Sequence, residues 1–179
     1  EKIPGGGAAA SLTRFSLGGL FIRKGEPESA IPYLKSAAEY LEQTGDCDKL
    51  LMLYASLGMA CCQKSDFPNA LIFHEKADAL ISRGYSNISA QMVYPLMSME
   101  YRLQKDRVKS DICFRKAMRD IEKSDAYMFS LCMAWALAAG ELDGDLSRAK
   151  EAVSAGIAAA ERARTDLSTA KTGVMAKTL

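Results

Sequence analysis

Histidine is almost missing from this chain: His74 is the only one. A zinc site built on several imidazoles is therefore excluded, and a thiol–imidazole catalytic pair could use only this one ring. Excess charge is missing too. The 23 basic and 22 acidic residues leave a net charge of +1. That balance argues against a dedicated nucleic-acid binder, which carries a basic face or stripe. No apolar run approaches the roughly 18 residues of a membrane span. The best candidate, Leu131 to Ala139, is about half that length. Neither a GxSxG elbow, nor a Walker phosphate loop, nor a dinucleotide fingerprint is present. Gly5 to Gly7 lead into no Lys-Ser/Thr pair, and Asp143-Gly144-Asp145 is too short for a calcium loop and reads as a turn. The expectation is no enzyme, no cofactor, no metal, no nucleic-acid partner and no membrane.

What is present is apolar and helical. Hydrophobic residues make up 49% of 179, enough to bury a sizeable core. The five cysteines, an odd number, suggest no disulfide framework. With nine methionines, they fit a reducing compartment, and a cytoplasmic location is expected. Residues 1–10, which run through Pro4 and three glycines, read as a linker or a cloning-derived segment.

The dominant signal is internal repetition. The segments beginning at Ser16, Ser56 and Leu96 align without gaps at an offset of forty residues. Leu17 meets Leu57 and Met97; Gly18 meets Gly58 and Ser98; Phe21 meets Cys61 and Tyr101. Further on, Ala30 meets Ala70 and Ser110, and Ala37 meets Ala77 and Ala117. A looser fourth copy around Gly144 falls one residue short. Each copy holds two stretches of helical periodicity separated by turn residues: Lys24-Gly25-Glu26-Pro27, Ser65-Asp66-Phe67-Pro68, Lys105-Asp106 and Asp143-Gly144-Asp145. Gly45 and Gly84 fit left-handed helix ends, and Asp46 or Asp48, Ser86 or Asn87, and Ser124 or Asp125 fit N-caps. The small residues let paired helices approach, and stacked hairpins bury what one hairpin cannot. Pro32 and Pro95 sit awkwardly inside helices, and a kink or late start is expected at Pro95.

Leu17-Gly18 with Phe21, then Ala30, Leu34 and Ala37, followed by Tyr54, Leu57, Gly58, Ala70 and Ala77, resemble the tetratricopeptide repeat. The forty-residue period looks more like the long repeats of kinesin light chains and of the spindle-orientation adaptor LGN; bacterial peptide-sensing and ATP-dependent regulators carry similar ones. The resemblance implies an all-α, right-handed superhelical solenoid of about four helix-turn-helix repeats. These would lie near 11–47, 48–87, 88–124 and 125–164, with 165–179 as a capping helix or tail. It also implies that the first helix of each pair lines a concave face. The matching residues are Phe15, Gly19 and Ile22; Met52, Ala55, Met59 and Cys62; Met92, Pro95, Met99 and Arg102; and Leu131, Ala134, Ala138 and Glu141.

That face is mostly apolar and rich in methionine, which suits adaptable binding. The expected peptide groove is Phe15, Ile22, Met52, Met59, Cys62, Met92, Met99 and Arg102, and its expected occupant is an amphipathic helix or an extended hydrophobic segment of a protein partner. The alternative is a peptide-sensing domain of a larger transcriptional or signalling regulator. Chaperone-binding members of the family clamp a terminal carboxylate on this face. The matching positions here, Phe15, Gly19, Ser56, Met92 and Leu96, hold no Lys, Arg or Asn, so no such clamp is expected. Cys61 and His74 read as packing residues at the bend of a hairpin, while Cys62 is the exception because its position faces the inner groove. Adjacent helical residues point about 100° apart, and Cys61 and His74 align with apolar positions.

Overall fold

The computed structural model describes residues 6–86 and 90–120, together with Gly144 and most of 146–162. The described residues form helices and the turns between them, with no strand. Six helices follow in order: α1 (Gly6–Lys24), α2 (Pro27–Thr44), α3 (Cys47–Gln63), α4 (Phe67–Ser82), α5 (Ala90–Leu103) and α6 (Arg107–Asp120). The described part of 146–162 is helical as well. Each helix packs on the next in the chain; in addition α1 touches α3, and α3 touches α5. The fold is a stack of helical hairpins whose first helices are drawn together along one side.

The turn inside each hairpin is the same device built three times. One residue adopts a left-handed backbone: Gly25 at φ 74°, Ser65 at 59° and Lys105 at 65°. The next N–H reaches back over the helix end, from Glu26 to Phe21, Asp66 to Cys61 and Asp106 to Tyr101, each at 2.9 Å. This closes the carbonyls that the helix end leaves open. Asp66 and Asp106 then turn their carboxylates onto the N–H groups of Asn69 and Lys109 and start the following helix. Gly144 repeats the left-handed step at φ 62°. Between hairpins, Gly45 (φ 70°) ends α2 and Asp46 caps α3 through the Lys49 N–H.

Helix pairing rests on the small residues. Ala30, Ala37, Ala70 and Ala77 are fully buried, and Ala117 is nearly so. A Cβ placed on Gly18 would lie 2.6 Å from Leu34 Cδ2. One placed on Gly58 would lie 2.2 Å from His74 Nε2. Ser98 stands at the corresponding place in α5 and takes its space with hydrogen bonds, donating to the Ser110 carbonyl at 2.9 Å while Ser110 donates to the Ser98 carbonyl at 2.7 Å.

Polar clamps tie one hairpin to the next. Tyr54 on α3 donates to Glu42 on α2 at 2.6 Å, and Lys76 from α4 reaches the same carboxylate at 3.5 Å while lying over the Tyr54 ring. One hairpin later, Tyr94 on α5 donates to Asp78 on α4 at 2.7 Å, and Lys116 from α6 reaches that carboxylate at 3.3 Å while lying over the Tyr94 ring. Each clamp joins the second helix of one hairpin to both helices of the next.

One expectation needs correction, and others lie outside the described residues. Helix α1 starts at Gly6, so residues 6–10 are helical rather than linker: three alanines after the glycines are strong helix formers. α5 begins at Ala90 and continues as helix through Pro95, as α2 does through Pro32; each proline lies in the second turn, near the part of a helix where N–H groups lack internal partners. The fourth-copy groove residues Leu131, Ala134, Ala138 and Glu141, the caps Asn87, Ser124 and Asp125, residues 1–5, and segment 165–179 lie outside the described residues.

Ala77 on α4 has no accessible surface. Ala77→Leu is expected to destabilise the protein by about 1–3 kcal/mol through overpacking. Chemical denaturation should show a lower midpoint, and an unchanged midpoint would place Ala77 away from the helix interface.

Candidate functional site

The first helices of the hairpins carry the residues that the sequence assigns to a groove. Phe15 on α1, Met52, Met59 and Cys62 on α3, and Met92 and Met99 on α5 are all half-buried. Phe15 and Met59 pack in part on the core while keeping some accessible surface. Ile22 and Arg102 are buried and offer little surface, as do Ala55 and Pro95. The Ile22 carbonyl accepts from Gln63 of α3, and an Arg102 Nη2 lies 4.0 Å from Asp111 of α6. What remains open is a line of methionines with Phe15 and Cys62 beside it.

Next to that line, inside the stack, lies a polar cluster that no single helix reveals. His74 of α4 and Glu100 of α5 have no accessible surface. His74 Nδ1 lies 2.8 and 3.0 Å from the two carboxylate oxygens of Glu100. Cys62 of α3 donates its S–H to Glu100 Oε1 at 3.0 Å. An ionised Glu100 would accept both bonds only with the ring proton on Nδ1. Nε2 has no hydrogen-bond partner and faces the bare Cα of Gly58. Three helices from two hairpins thus converge on one carboxylate.

The electrostatics follow from burial. Burial pushes the Cys62 thiol far above its ordinary range, and the neighbouring Glu100 carboxylate pushes it further. Cys62 is therefore a hydrogen-bond donor and a poor nucleophile. Burial also raises the thiols of Cys61 and Cys113, the latter to about 11. Tyr54 and Tyr101 are raised first by burial and then by the carboxylates that hold their hydroxyls, Glu42 and Glu75.

Sequence reasoning places His74 correctly as a residue packed between helices but misses its polar partner. Cys62, not Cys61, joins it, and Glu100 is the residue left unremarked. One signal was available: Glu100 stands in a column otherwise filled by Leu20 and Ala60. A carboxylate in an apolar column asks for a buried partner.

Among solved structures, the chain is similar to the tetratricopeptide repeat (TPR) domain of Arabidopsis FLU, with a TM-score of 0.61 and 19% identity over 66% of this chain and 99% of that one. No family model matches the chain, and no curated protein does. The fold is tetratricopeptide-like. Among the described residues, no helix is long and apolar enough to cross a membrane.

Two expectations arise from the cluster. His74→Leu should destabilise by about 3–5 kcal/mol, because it leaves the buried Glu100 carboxyl without its bond to the ring. The leucine itself fits, as Leu34 does against Gly18. Adding Glu100→Met should therefore recover most of the loss, and a double-mutant cycle from urea titrations should give a coupling of at least about 1 kcal/mol. Additive losses would show that the pair does not interact.

The second expectation concerns pH. An unfolded cysteine titrates near about 8.5. Below that value both states keep the Cys62 proton and the stabilisation is complete. Above it the unfolded chain releases the proton while the native thiol, with its raised pKa, retains it. Stability should then fall by about 1.4 kcal/mol per pH unit from this one group. Urea midpoints in reducing buffer between pH 8 and 10 should show the decline, and Cys62→Ala should make it shallower.

Proposed function

We propose that the chain is a protein-interaction module that holds an amphipathic helix or an extended hydrophobic peptide along its inner side. The carrying observation is that Met52, Met59, Met92 and Met99 remain half-buried on the helices that draw together, instead of being sealed within the hairpins. Their offsets support one continuous surface: Met52 and Met59 are two turns apart on α3, Met92 and Met99 two turns apart on α5, and each pair sits forty residues from the other. Unbranched thioether side chains adapt to different apolar anchors. A ligand lying across α3 and α5 would remove that surface from water, a gain of about 25 cal/mol per Å2 before ordering costs are subtracted.

The long repeat is supported by geometry that recurs at the same offset. Gly18 against Leu34 and Gly58 against His74 are forty residues apart, as are the turns at 25, 65 and 105. The likeness to the FLU TPR domain agrees with a module of this architecture. The sequence offers no Lys, Arg or Asn at the carboxylate-clamp positions, so the peptide would be recognised by its apolar side chains rather than by its terminus.

Peptides selected on the wild-type protein from a displayed random library should carry apolar anchors at helical or extended spacing. Met59→Glu together with Met99→Glu should weaken their binding by more than about tenfold, because each charge would be desolvated under the ligand. The far-ultraviolet spectrum and melting curve should change little. Peptides that bind the double variant as well as the wild type would place the binding surface elsewhere.

A further inference from the structure

Cys62, His74 and Glu100 offer a thiol sulfur, an imidazole nitrogen and a carboxylate oxygen that all lie within 4.8 Å of one another. The donors come from three helices, α3, α4 and α5. We propose that this cluster is a binding site for a zinc-class divalent cation, with Cys62 Sγ, His74 Nδ1 and one oxygen of Glu100 as its protein ligands.

The donor set selects the metal. A thiolate beside an imidazole favours zinc and its neighbours over magnesium or calcium, which want oxygen alone. Tetrahedral zinc with bond lengths of about 2.0–2.3 Å separates its ligand atoms by roughly 3.3–3.6 Å. The present separations are 2.8 Å from His74 to Glu100 and 3.0 Å from Cys62 to Glu100. These two pairs need to open by roughly half an ångström each. Rotation of the half-buried Cys62 thiol supplies part of that movement without disturbing α4 or α5.

Charge favours the exchange. A buried carboxylate whose partners are a thiol and an imidazole lacks a fixed positive charge among these three groups. A divalent cation bound by Cys62 thiolate and Glu100 carboxylate makes the set neutral. The protons balance as follows. The Cys62 S–H proton goes to solvent, since metal coordination deprotonates a thiol outright. The His74 Nδ1 site is vacated, and the neutral ring keeps its single proton on Nε2. One proton is released per metal from a neutral ring, and two from an imidazolium.

Cys62 marks the accessible side. It lies one turn beyond Met59 on the same helix, so a water or an external ligand would take the fourth position from the inner face. His74 Nε2 has no outer carboxylate to orient it. The ring is instead held by its packing on Gly58. Metal sites that lack such an outer partner bind about 10–100-fold more weakly, so a moderate affinity is expected rather than a permanently filled site.

The test uses the whole chain, reduced and freed of metal with a chelator, and titrated with zinc chloride and with cobalt chloride. Wild type should bind one zinc per chain with release of protons and a raised melting temperature. Cobalt should give a thiolate-to-metal charge-transfer band in the near ultraviolet together with the visible bands of a tetrahedral site. Cys62→Ser should remove the charge-transfer band and weaken zinc binding by about tenfold or more. Glu100→Gln should weaken zinc while leaving the band at higher cobalt concentrations. Cys47→Ser, at a thiol outside the cluster, should change neither. Should Glu100→Gln fail to fold, Cys62→Ser decides alone, since a half-buried serine is close to isosteric. The absence of a stoichiometric zinc, or a charge-transfer band that survives in Cys62→Ser, would overturn the proposal and leave the cluster as a purely structural network.

Discussion

The close approach of paired helices is the constraint on which the rest depends. At Gly18 and at Gly58 the missing Cβ is replaced by a side chain from the returning helix, Leu34 in one case and His74 in the other. Any larger residue at either glycine would push the pair apart. The buried alanines on the second helices complete the same seam. Once a hairpin closes to this distance, apolar residues beyond the seam are left to be buried by stacking on the next hairpin. The half-exposed methionines on the inner side are what this geometry leaves over.

The seam also explains why a histidine can occupy a leucine's place. The flat imidazole slides over the bare Gly58 Cα, and its Nδ1 edge then points toward α5. There Glu100 replaces the small or aliphatic residue of the other copies and takes up the ring and the Cys62 thiol together. A buried ion pair or hydrogen-bonded acid adds little net stability compared with well-packed apolar side chains, and losing one partner is costly. The bonds of Glu100 to His74 and Cys62 fix the register in which α5 docks on the second hairpin.

Much of the hairpin was legible in the sequence, and much of the stack was not. The turns at Gly25, Ser65 and Lys105 could be read because a helix end, a left-handed step and an acidic cap are local events governed by neighbouring residues. Pairing within a hairpin was legible because small residues recur at one offset. Contacts between hairpins escaped notice. Tyr54 with Glu42 and Tyr94 with Asp78 do not keep one spacing, since 12 residues separate the first pair and 16 the second. The stacking angle, which no local pattern encodes, decides which carboxylate the tyrosine meets. Ile22 and Arg102 escaped in the same way: their helical phase puts them on the inner side, but both are buried, with Gln63 of α3 on the Ile22 carbonyl and Asp111 of α6 beside Arg102.

The two clamps and the buried cluster act on different sides of the same joints. Tyr54, Glu42 and Lys76 couple the first hairpin to the second, and Tyr94, Asp78 and Lys116 couple the second to the third. Each lysine lies over its tyrosine ring, so the charge is held by both the carboxylate and the π face, and the hydroxyl is left no freedom to seek water. Glu100 couples the second and third hairpins again, from within. A joint held at two points resists rotation as well as separation, whereas one held at a single point can pivot. The joint between the second and third hairpins has both kinds of contact, and the first joint adds the Gln63 bond to the Ile22 carbonyl to its clamp. Both the clamp and the buried cluster of the second joint thus lie on the helices, α3 to α6, that carry or back the four methionines.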